Sequence, residues 1–307
     1  MRHRITLPEQ LGRYFSVSQA AAAGVGRGRA DARDLARPFH GVRALKQPQT
    51  FGERVLGYAP RMRPGQRLVG RTAVRWWGMP YPEEWTLAEK LEIAVPQHLS
   101  PPRTSGVAGR HLKASRVEGW KVGKVRVVDP VAAVFSCAEH LAVPDAVKLL
   151  DALLTDADNY PGLKQKRPLY TLADIEARLR SWNRFKGSAT IREALPRARP
   201  QVESPKETET RLAIVDAGMP EPVVQFAEYD GRRLVARIDL AYPEWKIAIE
   251  YEGDGHRVDK AQWRRDIQRQ RELEDRGWIV IRLTQADLRR PSEFLARIRR
   301  EIASRAA

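Results

Sequence analysis

Three carboxylates, Glu250, Glu252 and Asp254, fall within five residues in the stretch KIAIEYEGDGH (246–256), directly after strand-forming apolar residues. Like charges packed at a strand end resist ionisation unless a cation sits among them. Alternation along an extended strand sends Glu250 and Glu252 to one face and Ile247, Ile249 and Tyr251 to the other. If the strand VARIDL lies alongside, Asp239 approaches Glu250, and Glu207 on the helix before it can join them. Hard oxygen ligands at this density suit Mg²⁺ or Mn²⁺, which bind through one or two carboxylates together with water and substrate phosphate. Such an ion polarises a phosphoryl oxygen and helps to generate hydroxide at neutral pH, so the chemistry indicated is phosphodiester hydrolysis. His256, four residues past Glu252, can act as general base or orient the attacking water. Lys260, Arg264, Arg265, Arg269 and Arg271 on the following segment can hold phosphates.

Each of these features has a plainer reading. A single histidine at a strand end is commonly structural, Glu207 and Glu209 fit first-turn glutamates favoured by a helix dipole, and the charges of 259–271 fit a solvated helix face. It is the ordered set, an Asp, an eleven-residue gap, Glu-x-Glu and a nearby His, that points to a site.

The elements that must position the set are regular. Ser204 caps a helix over PKETETRLAIVDAG; then come the strand VVQFAEYD, an Asp230-Gly231 turn, the strand RRLVARIDLAYP and the strand WKIAIEYEG. The helix DKAQWRRDIQRQRELEDRG, the strand WIVIRLT and the terminal helix PSEFLARIRREIASR follow. A hairpin, a third strand, a helix and a fourth strand give a mixed sheet flanked by helices, so the fold class expected is α/β (α+β mixed).

The 307 residues give room for two or three domains, and a formal net charge of +16 suits a polyanionic partner. Residues 1–71 carry 14 Lys and Arg against 4 Asp and Glu, hence +10 of that charge. This segment reads as a winged helix-turn-helix. LPEQLGRYF is a short amphipathic stretch, Ser16 or Ser18 caps QAAAAG, RADARDLARP forms the next helix and FHGVRAL a strand. Arg27, Arg29 and Arg33 on the second helix can enter a major groove, the plainer reading being a small helical subdomain with arginines in water. GVGRGR lacks the preceding strand and following Gly-Lys-Ser/Thr of a phosphate loop.

The remaining stretch, 72–198, is expected to be a middle α+β domain, leaving 199–307 as the carboxylate-bearing one. Strands are expected at LEIAVP and KVRVVD, and helices at PVAAVFSCAEHLAVPDAVKLLDALL, TLADIEARLRSW and SATIREALPRA. Trp76 and Trp77 can stack on bases but read better as core. Cys137 and His140 read as buried filler rather than a metal pair. One cysteine excludes an internal disulfide. No membrane-spanning run is present, MRHRITLPEQ lacks the apolar core of a secretory signal, and the protein is expected in the cytoplasm.

SPKETETRLAIVDAGMPEPVVQF, RIDLAYPEWKIAIEYEGDGH and WIVIRLT resemble the domain of unknown function 559 family, relatives of the very-short-patch mismatch repair endonuclease in the PD-(D/E)XK restriction-endonuclease-like superfamily. The resemblance covers residues 204–303. It implies that Glu207 is the helix carboxylate, Asp239 the central metal ligand, Glu250 the acidic residue of the (D/E)XK element and His256 the histidine of this branch. The superfamily pattern places lysine where this chain has Glu252. The mismatch repair branch also lacks it and relies on histidine. Lys246 shares strand parity with Glu250 but lies at the other end of the strand. The first segment, through RPFHGVRAL, is similar to the winged-helix part of abortive-infection-type antitoxins, which bind DNA.

Together these readings give a Mg²⁺-dependent DNA endonuclease or nickase of mismatch-repair or phage-defence type, with RNA left open as a substrate. The alternative is a non-enzymatic DNA-binding regulator or antitoxin with a degenerate nuclease-like domain. Oligomeric state is not encoded in any of these features.

Overall fold

The computed structural model describes residues 6–164, 166–252 and 260–306. The chain divides into two compact units, Met1–His140 with Ala177–Ser188, and Leu141–Glu176 with Ala189–Ala307. Both are of mixed α/β character, and the stretch 72–198 is shared between them. Among the described residues, no helix is long and apolar enough to cross a membrane.

The first unit begins with a 3-10 turn, Glu9–Leu11, followed by β1 (Tyr14–Ser16), α1 (Val17–Ala22), α2 (Arg27–Ala30) and β2 (Val42–Ala44). Ser16 starts α1 through a capping box: its hydroxyl accepts the Gln19 N–H at 3.1 Å while Gln19 Oε1 accepts the Ser16 N–H at 2.8 Å. β1 and β2 pair antiparallel, Phe15 opposite Arg43, over a small core of Phe15, Ala20, Val25, Ala30 and Leu35. The helix expected over RADARDLARP is absent. α2 stops at Ala30 because the buried Arg43 reaches back, donating Nε–H to Ala30 O at 2.7 Å and pairing with Asp31. LPEQLGRYF likewise forms a turn and a strand rather than a helix.

Next come α3 (Phe51–Tyr58), β3 (Arg67–Leu68), α4 (Gly70–Trp76), β4 (Leu91–Val95), β5 (Val107–His111), β6 (Gly119–Val122), β7 (Val125–Val128) and α5 (Pro130–Cys137). The five strands form a mixed sheet in the order β5-β4-β3-β7-β6. Trp77 is wholly buried and donates its indole N–H to Val128 O at 2.9 Å, which fixes it as core. Cys137 is buried, which pushes its thiol pKa up. His140, in contrast to expectation, is exposed beside Glu139. The long helix expected over 130–154 breaks here: α5 is followed by a 3-10 turn, Ala138–His140, and Pro144 lies in the first turn of the next helix.

That helix, α6 (Val143–Leu154), opens the second unit. α7 (Leu172–Trp182) is shared by both units, and α8 (Ser188–Ala194) leads to α9 (Pro205–Asp216), β8 (Val223–Asp230), β9 (Arg233–Tyr242), β10 (Ile247–Tyr251), α10 (Lys260–Asp275), β11 (Ile279–Leu283), α11 (Gln285–Arg289) and α12 (Pro291–Ala306). The sheet order is β11-β10-β9-β8, with β10 and β11 parallel and the other pairs antiparallel. Ile247 and Ile249 pack with Ile214 of α9 and Phe294 and Ile298 of α12 on one face. Ala248 packs with Leu273 of α10 and Trp278 on the other. The period-2 parity of β10 therefore commits Glu250 to the α10 face. α6 and α9 are tied by a buried ion pair, Asp151 with Arg211 at 3.2 Å, and Asp151 also accepts Thr208 Oγ1–H at 2.8 Å and the Arg199 N–H at 2.7 Å.

Candidate active site where the β9–β10 ladder ends

Antiparallel pairing of β9 with β10 runs from Tyr242–Ile247 to Leu240–Ile249 and goes no further. Two residues beyond Ile249, Tyr251 donates its N–H not to a strand carbonyl but to Asp239 Oδ2, at 3.1 Å. Across β9, Gln225 of β8 has a left-handed backbone (φ 52°), and the β8–β9 ladder passes from Val224–Leu240 to Phe226–Ile238 in one register without pairing Gln225 with Asp239. The sheet thus opens at Asp239, and the core changes face there: Ile238 packs on the α10 side, Leu240 on the α9–α12 side.

The opening leads into a cavity of about 350 Å³ lined by Asp239, Glu250, Glu252, Arg269 and Arg282, with Tyr251 at its floor. Asp239 is half-buried and Glu250 buried. Glu250 Oε2 accepts from Arg269 Nη2 of α10 at 3.1 Å. Arg282 of β11 stands opposite Glu250 in the parallel register and lies 3.7 Å from Glu252. Asn159, Glu203, Gln225 and Arg237 form the remaining wall. Glu203 holds it together, pairing with Arg237 at 2.5 Å and accepting Asn159 Nδ2–H at 2.8 Å.

The electrostatics follow from this packing. Burial, then the neighbouring charges of Glu207 and Glu250, push the Asp239 pKa from 3.8 up to about 8, opposed by the Tyr251 amide and Arg269. Asp239 is therefore a carboxyl that a cation would convert to carboxylate. Glu207 also titrates above the ordinary carboxylate range, chiefly through burial, but its oxygens are already engaged. Oε1 accepts Ser204 Oγ–H at 2.8 Å, and Oε2 accepts the Glu203 N–H and Gln225 Nε2–H, each at 2.9 Å. Its position is also fixed by the helix cap, Ser204 Oγ accepting the Glu207 N–H at 3.2 Å.

Sequence reasoning placed Asp239, Glu250 and Glu252 on one site, and the structure brings all three to the same cavity. Glu207 lies close enough to act on Asp239 electrostatically but serves as a hydrogen-bonded support. Among the described residues, no group of three or more His, Cys, Asp and Glu side chains is arranged to hold a metal ion. Of the expected ligands, Asp239 and Glu250 line the cavity, while the Glu207 oxygens are hydrogen-bonded to Ser204, Glu203 and Gln225. A pair of hard oxygen donors, one with a raised pKa, fits Mg²⁺ or Mn²⁺ completed by water and phosphate. His256 lies outside the described residues, as do the side chains of Lys260, Arg264 and Arg265 on α10. Lys246 is remote from the cavity: its Nζ donates to Arg276 O at 2.8 Å. In the first unit, Arg27 and Arg33 are exposed, while Arg29 pairs with Asp34 at 3.1 Å.

Five wall residues escaped the sequence reading. Asn159 comes from a segment far from the carboxylates in the chain, Glu203 precedes the capping serine, Gln225 is aimed by its own unusual backbone, Arg237 reads as an ordinary exposed residue of an alternating strand, and Arg282 sits inside an otherwise apolar strand.

No family model matches the chain, and no solved structure matches it. It is 30% identical over 174 residues to uncharacterized proteins of Mycobacterium tuberculosis from strains CDC 1551 and H37Rv. The match takes in 56% of this chain, which spans 60% of the length of each of these relatives.

Proposed function

We propose that the second unit hydrolyses phosphodiester bonds of DNA with the help of Mg²⁺ or Mn²⁺, as an endonuclease or nickase related to the PD-(D/E)XK enzymes. The observation that carries this reading is the Asp239–Glu250 pair, set side by side where two strands part, in a cavity that also holds arginines. Asp239 and Glu250 would hold the ion, which when bound supplies Lewis-acid polarisation and a lowered pKa for water. Tyr251, through its amide, keeps Asp239 aimed into the cavity. Arg282 and Arg237 offer forked N–H donors to phosphate oxygens. The proton passed by the attacking water is assigned to His256. The exposed Arg27 and Arg33 in the strongly basic first segment are the DNA phosphate contacts.

A second reading, a DNA-binding regulator or antitoxin without cleavage, is favoured by one observation: Glu250 and Glu252 already have arginine partners in Arg269 and Arg282. Incubation of the purified protein with supercoiled plasmid and with a mismatched duplex, in Mg²⁺, Mn²⁺ or EDTA, separates the two. Metal-dependent nicking supports the enzyme. Tight, salt-sensitive binding without any cleavage supports the regulator and removes the enzymatic reading.

A further inference from the structure

Resting on the hydrolytic reading, we infer that Arg269 is an exchange cation: its guanidinium holds Glu250 Oε2, and a divalent ion drawn to the Asp239–Glu250 pair would displace it towards the substrate phosphate. Three observations converge on this. Arg269 Nη2 lies 3.1 Å from Glu250 Oε2, so it is in hydrogen-bond contact with one of the two buried carboxylates proposed to hold the ion. Arg269 lines the same cavity as Asp239 and Glu250, so leaving the carboxylate moves it towards substrate space. Arg282, the arginine opposite Glu250 on β11, lies beside Glu252 instead, which leaves Arg269 as the guanidinium bonded to Glu250.

The physical basis is competition. An ion about 2.0 Å from that oxygen takes up one of its lone pairs and repels the positive guanidinium in contact with it, which weakens the Arg269 bond. While in place, Arg269 offsets the negative charge of Glu250, which stabilises the fold. Once released, its planar donor fork fits two phosphate oxygens, where a point charge would fit one. Arg282 and Arg237 are held instead by Glu252 and Glu203, outside the Asp239–Glu250 pair.

Exchange makes an unusual demand: removing Arg269 should strengthen metal binding and weaken catalysis together. The test is a titration of the full chain with Mn²⁺ alone at alkaline pH, followed by plasmid nicking at saturating Mn²⁺. Wild type is compared with Arg269→Met and Arg269→Lys, and with Arg269→Gln should the methionine variant fail to fold. The expected result is Mn²⁺ binding roughly tenfold tighter in Arg269→Met, from loss of a repelling charge at contact distance. Nicking is expected to fall about a hundredfold, and Arg269→Lys should restore the wild-type metal affinity but only part of the rate. A role in holding α10 alone would weaken both. Unchanged or weaker Mn²⁺ binding in folded Arg269→Met and Arg269→Gln, with wild type binding normally, overturns the exchange and leaves the hydrolytic reading standing. Failure of the wild type to bind Mn²⁺ overturns both.

Discussion

Tyr251 donates its backbone N–H to Asp239 Oδ2 at 3.1 Å, where Tyr251 lies two residues and Asp239 one residue past the last β9–β10 pair. A side chain thereby takes over a ladder position, which orients the carboxylate without using its second oxygen in that bond. Asp239→Asn preserves an acceptor for Tyr251 and should fold normally while losing the charge. The expected outcome is an unchanged thermal midpoint at acid pH with Mn²⁺ affinity reduced by more than about a hundredfold. A titration that finds Mn²⁺ bound equally well would place the ion elsewhere.

The raised pKa of Asp239 makes the metal-free protein sensitive to pH with a definite sign. Between its ordinary 3.8 and its folded value of about 8, the folded state holds a proton that the unfolded chain has released. Its contribution to stability is fully present below the lower value and is lost as pH rises to the upper one. Glu207 from α9, Glu250 from β10 and Arg269 from α10 are the charges that face it. Thermal unfolding of wild type and Asp239→Asn across this range should show the variant gaining on wild type as pH rises. Saturating Mn²⁺ should stabilise wild type most at the alkaline end, since binding must expel the proton. A constant difference between the two proteins would show that Asp239 ionises normally.

Asp151 and Arg211 form a salt bridge with both side chains buried between α6 and α9. Removing one partner leaves the other charge under-compensated, so Asp151→Ala should cost about 3 kcal/mol. Glu221, 2.7 Å from Arg211 at its other nitrogen, limits the damage. Urea denaturation of the full chain measures this, and a loss below about 0.5 kcal/mol would mean that Glu221 and backbone acceptors suffice.

The first segment separates its arginines into two groups. Arg27 and Arg33 are exposed, whereas Arg43 is buried and bonded to Ala30 O. Arg27→Ala and Arg33→Ala should each lower DNA affinity uniformly across sequences and reduce the salt slope by about one. Arg43→Ala should instead lower the melting temperature. DNA binding measured against salt concentration distinguishes the cases: an unchanged slope in both exposed variants would move the DNA contact out of this segment.

Much of the second unit is legible in the chain because its signals are local. Ser204 before Pro205, the Asp230-Gly231 turn and the alternation through 247–251 each fix an element by short-range sterics or hydrogen bonding, and each appears in the structure. That alternation also places Glu250 on the α10 face. The first unit reads less well because a distant residue decides it: Arg43 caps the end of α2 and cuts short a segment whose composition favours continuing. The cavity wall is hidden for a related reason. Asn159 and Gln225 reach the site through a long connection and a left-handed residue, and neither carries a repeating pattern. Glu207 shows the limit of residue type as a guide, since a carboxylate at the right place can be consumed by Ser204, Glu203 and Gln225.

The most direct test of the central claim is nicking of supercoiled plasmid by wild type and Asp239→Asn in Mg²⁺, with DNA binding measured on the same samples. The expected result is metal-dependent nicking by wild type that falls by at least about a hundredfold in the variant while DNA affinity stays the same. Equal nicking by both proteins, or none by either despite tight binding, would contradict a catalytic role for the Asp239–Glu250 pair.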